Sequence, residues 1–543
     1  MLAREAFFYA AAFSYLPNGQ DRRLAGIAHT GPGGVAVSAF GYGYDAGGSI
    51  TRWTQSQPFH TVEPMSAWTI EQDAADQLTG VSVEGRAAGR QVFSYDLAGN
   101  RLTAQSGNAT STTAYNAMNQ ITGISGGGRL RFSGTTSEAA NVSVQGRAAR
   151  MLDAKTFTAD AEVVPGVNTI PVVATDGNGN RRTNNYQVTV PSGATRAFVY
   201  DGNGNLLDDG ERTYQWDAKN RLIEAKRGAD TWQWSYNAFD QRVSEKKNGV
   251  VTKRWVWAGG NQPAEERDAA GNVTRRFYPQ GEQVGAVKSY YTKDHLGSIR
   301  EVMGANGTVV SSSRYDAWGV RTTQGAQDAA SFGFTGHLEH KELGLVFTLY
   351  RAYDPATGRW LSRDPIGENG GINLYGYVSN NPVMYLDPLG LYDVGFFGAG
   401  GNTVGNAALR DYVEGRGGKV YDRTQKGQQQ AMDDIKKARD GGDKCLTISG
   451  YSWGTRAARD LVIKLKEQGI DVEQLNLVDP VNQLGQPGSI SVPSNVKSAD
   501  NFYQTSGGPF KGGPAANPGP NVRNHDRSGP NVDHNNIVEK SLK

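Results

Sequence analysis

Cysteine is all but absent: one thiol, Cys445, stands in 543 residues. That excludes an intramolecular disulfide framework and leaves no ligand set for a multi-cysteine zinc site. An excess of charge of one sign is lacking too, with 56 basic residues against 54 acidic. The balance gives no electrostatic footprint for a nucleic-acid partner. No apolar run reaches the roughly 18 residues that a membrane-spanning helix needs. The opening stretch MLAREAFFYAAAFSYL contains Arg4 and Glu5 and leads straight into repeat-like sequence. It reads as the start of a truncated core and not as a signal peptide, so export would need another route.

What abounds is glycine, 70 of 543 residues, against a usual level of about 7%. Such a composition points to many turns between short strands. The length exceeds one ordinary domain and can bury a sizeable core.

Between residues 40 and 320 a short idiom recurs: Tyr44-Asp45-Ala46-Gly47-Gly48, Tyr95-Asp96-Leu97-Ala98-Gly99, Tyr115-Asn116-Ala117-Met118-Asn119 and Tyr200-Asp201-Gly202-Asn203-Gly204. It returns at Trp216-Asp217, Tyr236-Asn237 and Tyr315-Asp316. An aromatic at a strand end, a Gly/Asn turn and a short returning strand make a β-hairpin. Hairpins are marginal alone and must pack on their neighbours. These units resemble YD repeats, which implies a long β-sheet closing as a hollow shell.

The period breaks between about Leu130 and Val190, where short alternating strands around Val142, Val144, Ile170 and Val172 lie between turn signals. That stretch resembles a bacterial Ig-like β-sandwich insertion; irregular shell is the other reading. His295, His337 and His340 are packing residues of the repeat core before they are metal ligands, since no cysteine stands near to complete a set.

Residues 351 to 391 read RAYDPATGRWLSRDPIGENGGINLYGYVSNNPVMYLDPLGL, with two Asp-Pro-x-Gly units, at Asp364 and at Asp387. Each unit is a turn instruction, and paired carboxylates are also what aspartyl peptide hydrolysis needs, one as base and one as acid. The whole string resembles the terminal signature of the Rhs (YD-repeat) core. The resemblance implies self-cleavage by an intramolecular aspartyl protease, with Asp364 and Asp387 as the acid pair, Arg351 as the supporting cation and Leu391-Tyr392 as the scissile bond. It further implies a contact-dependent toxin, carried by type VI secretion through tip proteins or a chaperone, delivered into target cells and neutralised by a cognate immunity protein.

After Tyr392 the idiom stops. Strands at Val394-Gly395-Phe396-Phe397, Cys445-Leu446-Thr447-Ile448-Ser449 and Leu475-Asn476-Leu477-Val478 alternate with helical runs at 428–440 and 455–468. This order implies a parallel α/β sheet. The second strand enters Gly450-Tyr451-Ser452-Trp453-Gly454, and an amphipathic helix with Ala458, Leu461, Val462 and Leu465 on one face leaves it. A strand running in and a helix running out are the context of a nucleophile elbow. The other match to the pattern, around Ser125, has no helix behind it.

With Ser452 as nucleophile, a base is required. His534 is the first choice, because it lies beyond the last candidate strand in the Ser, acid, His order; His525 is the reserve. Asp479 is the favoured acid, and Asp500 the alternative. The oxyanion hole would take backbone N–H groups of Trp453 and of the Gly398-Ala399 loop. This tail resembles a compact α/β-hydrolase of the lipase/esterase kind and implies no cofactor or metal.

The expected organisation is therefore YD repeats over 1–128, an Ig-like β insertion over 129–191, repeats and Rhs core over 192–350, a cleavage segment over 351–391 and a hydrolase over 392–543. The expected fold is a mainly β shell followed by an α/β-hydrolase domain, and the expected activity is hydrolysis of a lipid ester, with no nucleic-acid partner. A non-enzymatic, carbohydrate-binding surface protein is the rival, and amide or thioester hydrolysis by the same tail is the variant.

Overall fold

In each repeat the aromatic residue closes a hairpin and the residue after it opens a turn. Tyr95 is the last residue of strand Arg86–Tyr95, and its hydroxyl donates to the carbonyl of Leu78, the first residue of the partner strand, at 2.6 Å. The same clasp joins Tyr44 to Leu24, Tyr115 to Arg101, Tyr236 to Leu222 and Tyr315 to Ile299. Trp216 and Trp257 make it with their indole N–H, to Leu206 and Arg242. Phenylalanine could pack there but has nothing to donate.

The next residue, Asp or Asn, accepts the N–H groups two and four positions on through one side-chain oxygen. Asp96 takes those of Ala98 and Asn100, and Asp217 those of Lys219 and Arg221. The residue three positions on has positive φ, so it is Gly99, Asn119, Gly204, Asn220, Asp240 or Gly319 in successive turns, residue types that tolerate it.

Repetition of this unit builds two antiparallel meanders. One has eleven strands, from Ala10–Tyr15 to Ile121–Gly126 plus Arg196–Ala197; the other has fourteen, from Val199–Tyr200 to Arg321–Gly325. Between them in sequence, three strands including Gly128–Thr135 and Thr156–Val163 face four including Gly166–Asp176 and Arg181–Val190. These two small sheets share a core of Leu130, Val142, Val144, Phe157, Ile170 and Val190.

The structure is a computed structural model. It describes residues 9–17, 23–61, 63–84, 86–191, 195–258, 262–365 and 372–387, and in the tail 393–396, 409, 413, 419–421, 423–424, 427–432, 435, 446–452, 454–468, 470, 472–480, 491–503 and 522–527. The chain forms two compact units, Met1–Ser362 with Tyr375–Met384, and Arg363–Leu374 with Tyr385–Lys543.

In the first unit the large sheets are joined by buried polar groups. Arg300, 1% exposed, donates to Gln55 of the eleven-stranded sheet and to Gln57 just past the end of the same strand, at 2.5 and 2.8 Å, and pairs with Asp294 at 3.1 Å. Its guanidinium lies over Phe40, Trp53 and Tyr315. Glu301 accepts from Gln57 at 2.6 Å and from Thr292.

The chain after the repeats is stitched across turns of both sheets. Arg359 reaches Asn100 and the Asn119 carbonyl, the Tyr375 hydroxyl donates to Gly204, and the amides of Asn380 and Asn381 reach Gly99 and Asp76.

The three histidines of the repeat core are apart in role. His295 sits edge-on to Tyr42 and Trp53 and bonds the Val383 carbonyl. His337 bonds Thr335, and His340 lies among Trp232, Trp234 and Phe347. Among the described residues no group of His, Cys, Asp and Glu is arranged to hold a metal ion.

Removing one member of a buried ion pair leaves the other charge uncompensated and costs about 3–5 kcal/mol. Arg300→Leu is therefore expected to shift the urea unfolding midpoint of the first unit down by that equivalent, whereas the exposed pair Arg52–Glu84 can lose its arginine almost without effect. Equal midpoints for the two variants would contradict the seam.

Candidate functional site

In the second unit six strands run parallel, in the order Lys419–Tyr421, Asp393–Phe396, Thr447–Tyr451, Val472–Val478, Val496–Tyr503 and Val522–Asp526. Helix Gly454–Glu467 packs against three of them, and its Ala458, Leu461, Val462 and Leu465 are fully buried. The elbow strand runs two residues further than its apolar sequence suggests, because ladder pairing with Gln474–Val478 continues through Gly450 and Tyr451.

Ser452 follows at once, with φ of +55° and 3% exposure. Its N–H still reaches across to the Val478 carbonyl at 2.9 Å, and its own carbonyl accepts from Thr455 as the helix begins. A Cβ on Gly450 would lie 2.7 Å from the Gly454 oxygen and from the Thr455 Cα. The glycine is thus required by the close approach of the helix start. A non-glycine residue held at positive φ between a strand and a helix carries backbone strain.

Tyr451, Val478, Phe502 and His525 occupy one row across four neighbouring strands. Asp479 therefore stands beside Ser452 at the next strand end, fully buried, with φ of +49° and its N–H on the Phe502 carbonyl. Two adjacent strand ends in the left-handed region place both groups at the C-terminal edge of the sheet, where the side chains of parallel sheets meet ligands.

The structure also brings together a second pair. His525 Nε2 lies 2.7 Å from Asp500 Oδ1, and its ring stacks on Phe502 with centroids 4.6 Å apart. Asp500 takes two further bonds from Arg523 and one from Gln474, which continues to Asn476 and Ser449. His525 is three strand spacings from the serine strand, about 14 Å at the usual separation, so its ring on Asp500 does not reach Ser452. Sequence reading missed Arg523, Gln474 and Phe502 as neighbours of this pair. Its only sign was the alternation Arg523, Asn524, His525 inside a Gly/Pro/Asn-rich stretch.

His534, Trp453, Gly398, Ala399, Leu391 and Tyr392 lie outside the described residues. Of the carboxylates of the cleavage segment, Asp364 and Asp387 are half-buried in the second unit, and the Asp364 N–H donates to the Leu374 carbonyl at 2.7 Å. Arg351 is buried in the first unit with its guanidinium 4.1 Å from the Trp360 ring.

The clasped hairpins, their Asp and Asn turns and the two antiparallel meanders resemble YD repeats. Residues 179–383 match the family model described as Teneurin YD-shell. The tRNA nuclease WapA of Bacillus subtilis is 31% identical over 238 residues, covering 40% of this chain and 10% of that protein. The probable deoxyribonuclease RhsA of Dickeya dadantii is 28% identical over 233 residues, 36% of this chain and 15% of that protein. Both alignments are longer than the whole of 392–543, so neither is confined to the tail. A crystal structure of TcdB2-TccC3-TEV resembles 70% of this chain over 20% of its own, at 15% identity and a TM-score of 0.34. The chain spans about a tenth to a seventh of the length of these curated relatives.

Burial raises the pKa of Asp500, but the bonds from Arg523 and His525 outweigh it and hold the carboxyl below its usual range. A depressed carboxylate stabilises the fold above its unfolded pKa of about 3.9, and that contribution is lost as pH falls through the folded value. The stability difference between the parent and Asp500→Asn is therefore expected to shrink as pH falls below about 4, where the carboxylate takes up its proton. Denaturant titrations at a series of pH values from about 5 downward read this directly; a difference that stays constant over that range would contradict the pairing.

Proposed function

We propose that this chain belongs to a contact-dependent Rhs toxin, in which a YD shell precedes a serine hydrolase over 392–543 and the protein cuts itself between the two. The observation that carries the hydrolase is Ser452 at positive φ, between a parallel strand and a helix whose approach demands Gly450. The fold of the tail is read as a compact α/β-hydrolase on the same ground.

In this reading His534 takes the Ser452 proton as the oxygen attacks an ester carbonyl, and Asp479 orients and stabilises the imidazolium. N–H groups of Trp453 and of the Gly398-Ala399 loop hold the oxyanion. The imidazolium returns its proton to the departing alcohol, and water, deprotonated by the same imidazole, frees the acid. No cofactor enters. A membrane lipid is the proposed substrate, since its hydrolysis injures a competing cell; delivery by a secretion apparatus and restraint by an immunity protein belong to the same proposal. Self-cleavage after Leu391 is assigned to Asp364 and Asp387, supported by Arg351.

A second reading makes the tail a nuclease. It is favoured by the names of the two relatives and by the Asp500–His525 pair with Arg523 beside it, an oriented imidazole next to a cation suited to phosphate.

The two readings separate on single substitutions. Ser452→Ala is expected to lower hydrolysis of short-chain and phospholipid esters at least about a thousandfold while His525→Ala leaves it nearly intact. Nuclease activity lost in His525→Ala and kept in Ser452→Ala would select the second reading.

Self-cleavage has its own assay. On a denaturing gel the parent should split near residue 391, whereas Asp364→Asn and Asp387→Asn should each run as one full-length band. An identical pattern for all three would remove both carboxylates from the role.

A further inference from the structure

Strand Arg181–Val190 is the outer strand of its four-stranded sheet and pairs, among the described residues, only with Gly166–Asp176. It is ten residues long, and every residue from Arg181 to Gln187 is exposed. Edge strands of this length are normally blunted by proline, a central charge, a bulge or a cover, since their free N–H and C=O groups template pairing with another chain. Among the described residues the middle of this strand shows none of these devices. The ladder to Gly166–Asp176 has no register shift, the strand has no proline, and its charges are confined to Arg181 and Arg182.

Its sequence is compatible with itself. Two identical antiparallel strands related by a two-fold axis perpendicular to their sheet must pair residues of the same face, so the two residue numbers in each pair sum to an even number. With Tyr186 on the axis, Asn185 meets Gln187, Thr183 meets Thr189, Asn184 meets Val188 and Arg182 meets Val190. Aromatic and threonine pairs are favourable across strands, and no like charges are opposed. Tyr186 is 50% exposed although it shares a face with Val188 and Val190, which pack into the sandwich core. Its ring is thus left outside the core that Val188 and Val190 enter.

We propose that two copies of the chain join edge to edge through Arg181–Val190, antiparallel about a two-fold axis at Tyr186, so that two four-stranded sheets become one of eight strands. The inference rests on the insertion alone and is independent of the chemistry assigned to the tail.

Light scattering on the full chain across a concentration series tests it. The parent is expected to approach twice the mass it has at the lowest concentration as concentration rises. Tyr186→Lys sets two ammonium groups against each other on the axis and Tyr186→Glu two carboxylates, so each alone should stay at the single-chain mass. An equimolar mixture of the two variants should regain the double mass, because lysine then faces glutamate; that result also shows that both variants fold. A parent that stays at single-chain mass throughout, either variant alone at the double mass, or a mixture that does not associate would overturn the proposal.

Discussion

The first unit depends on a single buried guanidinium. Arg300 has no exposure to speak of, yet it meets amide oxygens of one sheet, a carboxylate of the other and three aromatic faces. Placing a full charge there is costly unless every side of it is compensated. Its countercharge, Asp294, is six residues away, while the amide oxygens of Gln55 and Gln57 come from about 245 residues away in the chain and tie the two meanders to each other. An apolar side chain at the same place could bury as much surface, but it would accept other alignments of Gln55 and Gln57.

The segment after the repeats has a related role. Arg359, Tyr375, Asn380 and Asn381 take backbone and amide groups at the turns around Asp76, Gly99, Asn119 and Gly204. Its Asp-Pro units therefore flank chain that is already bound to the repeats. Should the bond after Leu391 be cut as proposed, residues 375–384 would remain held by the first unit through contacts the cut does not touch.

How much could be read from sequence follows from the range of each interaction. The hairpin repeat was legible because the clasp needs a donor on an aromatic ring and the turn needs a short side-chain oxygen, both within a few residues of each other. The strand–turn–helix around Ser452 was legible for the same reason: strand, Gly450, Ser452, Gly454 and helix are contiguous. Only the strand end shifted, since ladder pairing and not apolarity sets it. Arg300 carried little sign in its own neighbourhood, because only Asp294 is near it in sequence and both amide partners arrive from the other sheet's side. The Asp500–His525 pair carried none, since it depends on the register of two parallel strands separated by residues 504–521.

The clasp also sets a direction. In every instance the donor is the last residue of a hairpin and the acceptor is ten to twenty residues earlier. By the time a ribosome has made the tyrosine, the carbonyl it needs already exists. Each hairpin can therefore latch using only chain already synthesised, and the meander can lengthen from the N-terminal side one latched unit at a time. Long-range pairing exposes unfinished sheets to aggregation; a clasped hairpin needs no partner beyond chain already made.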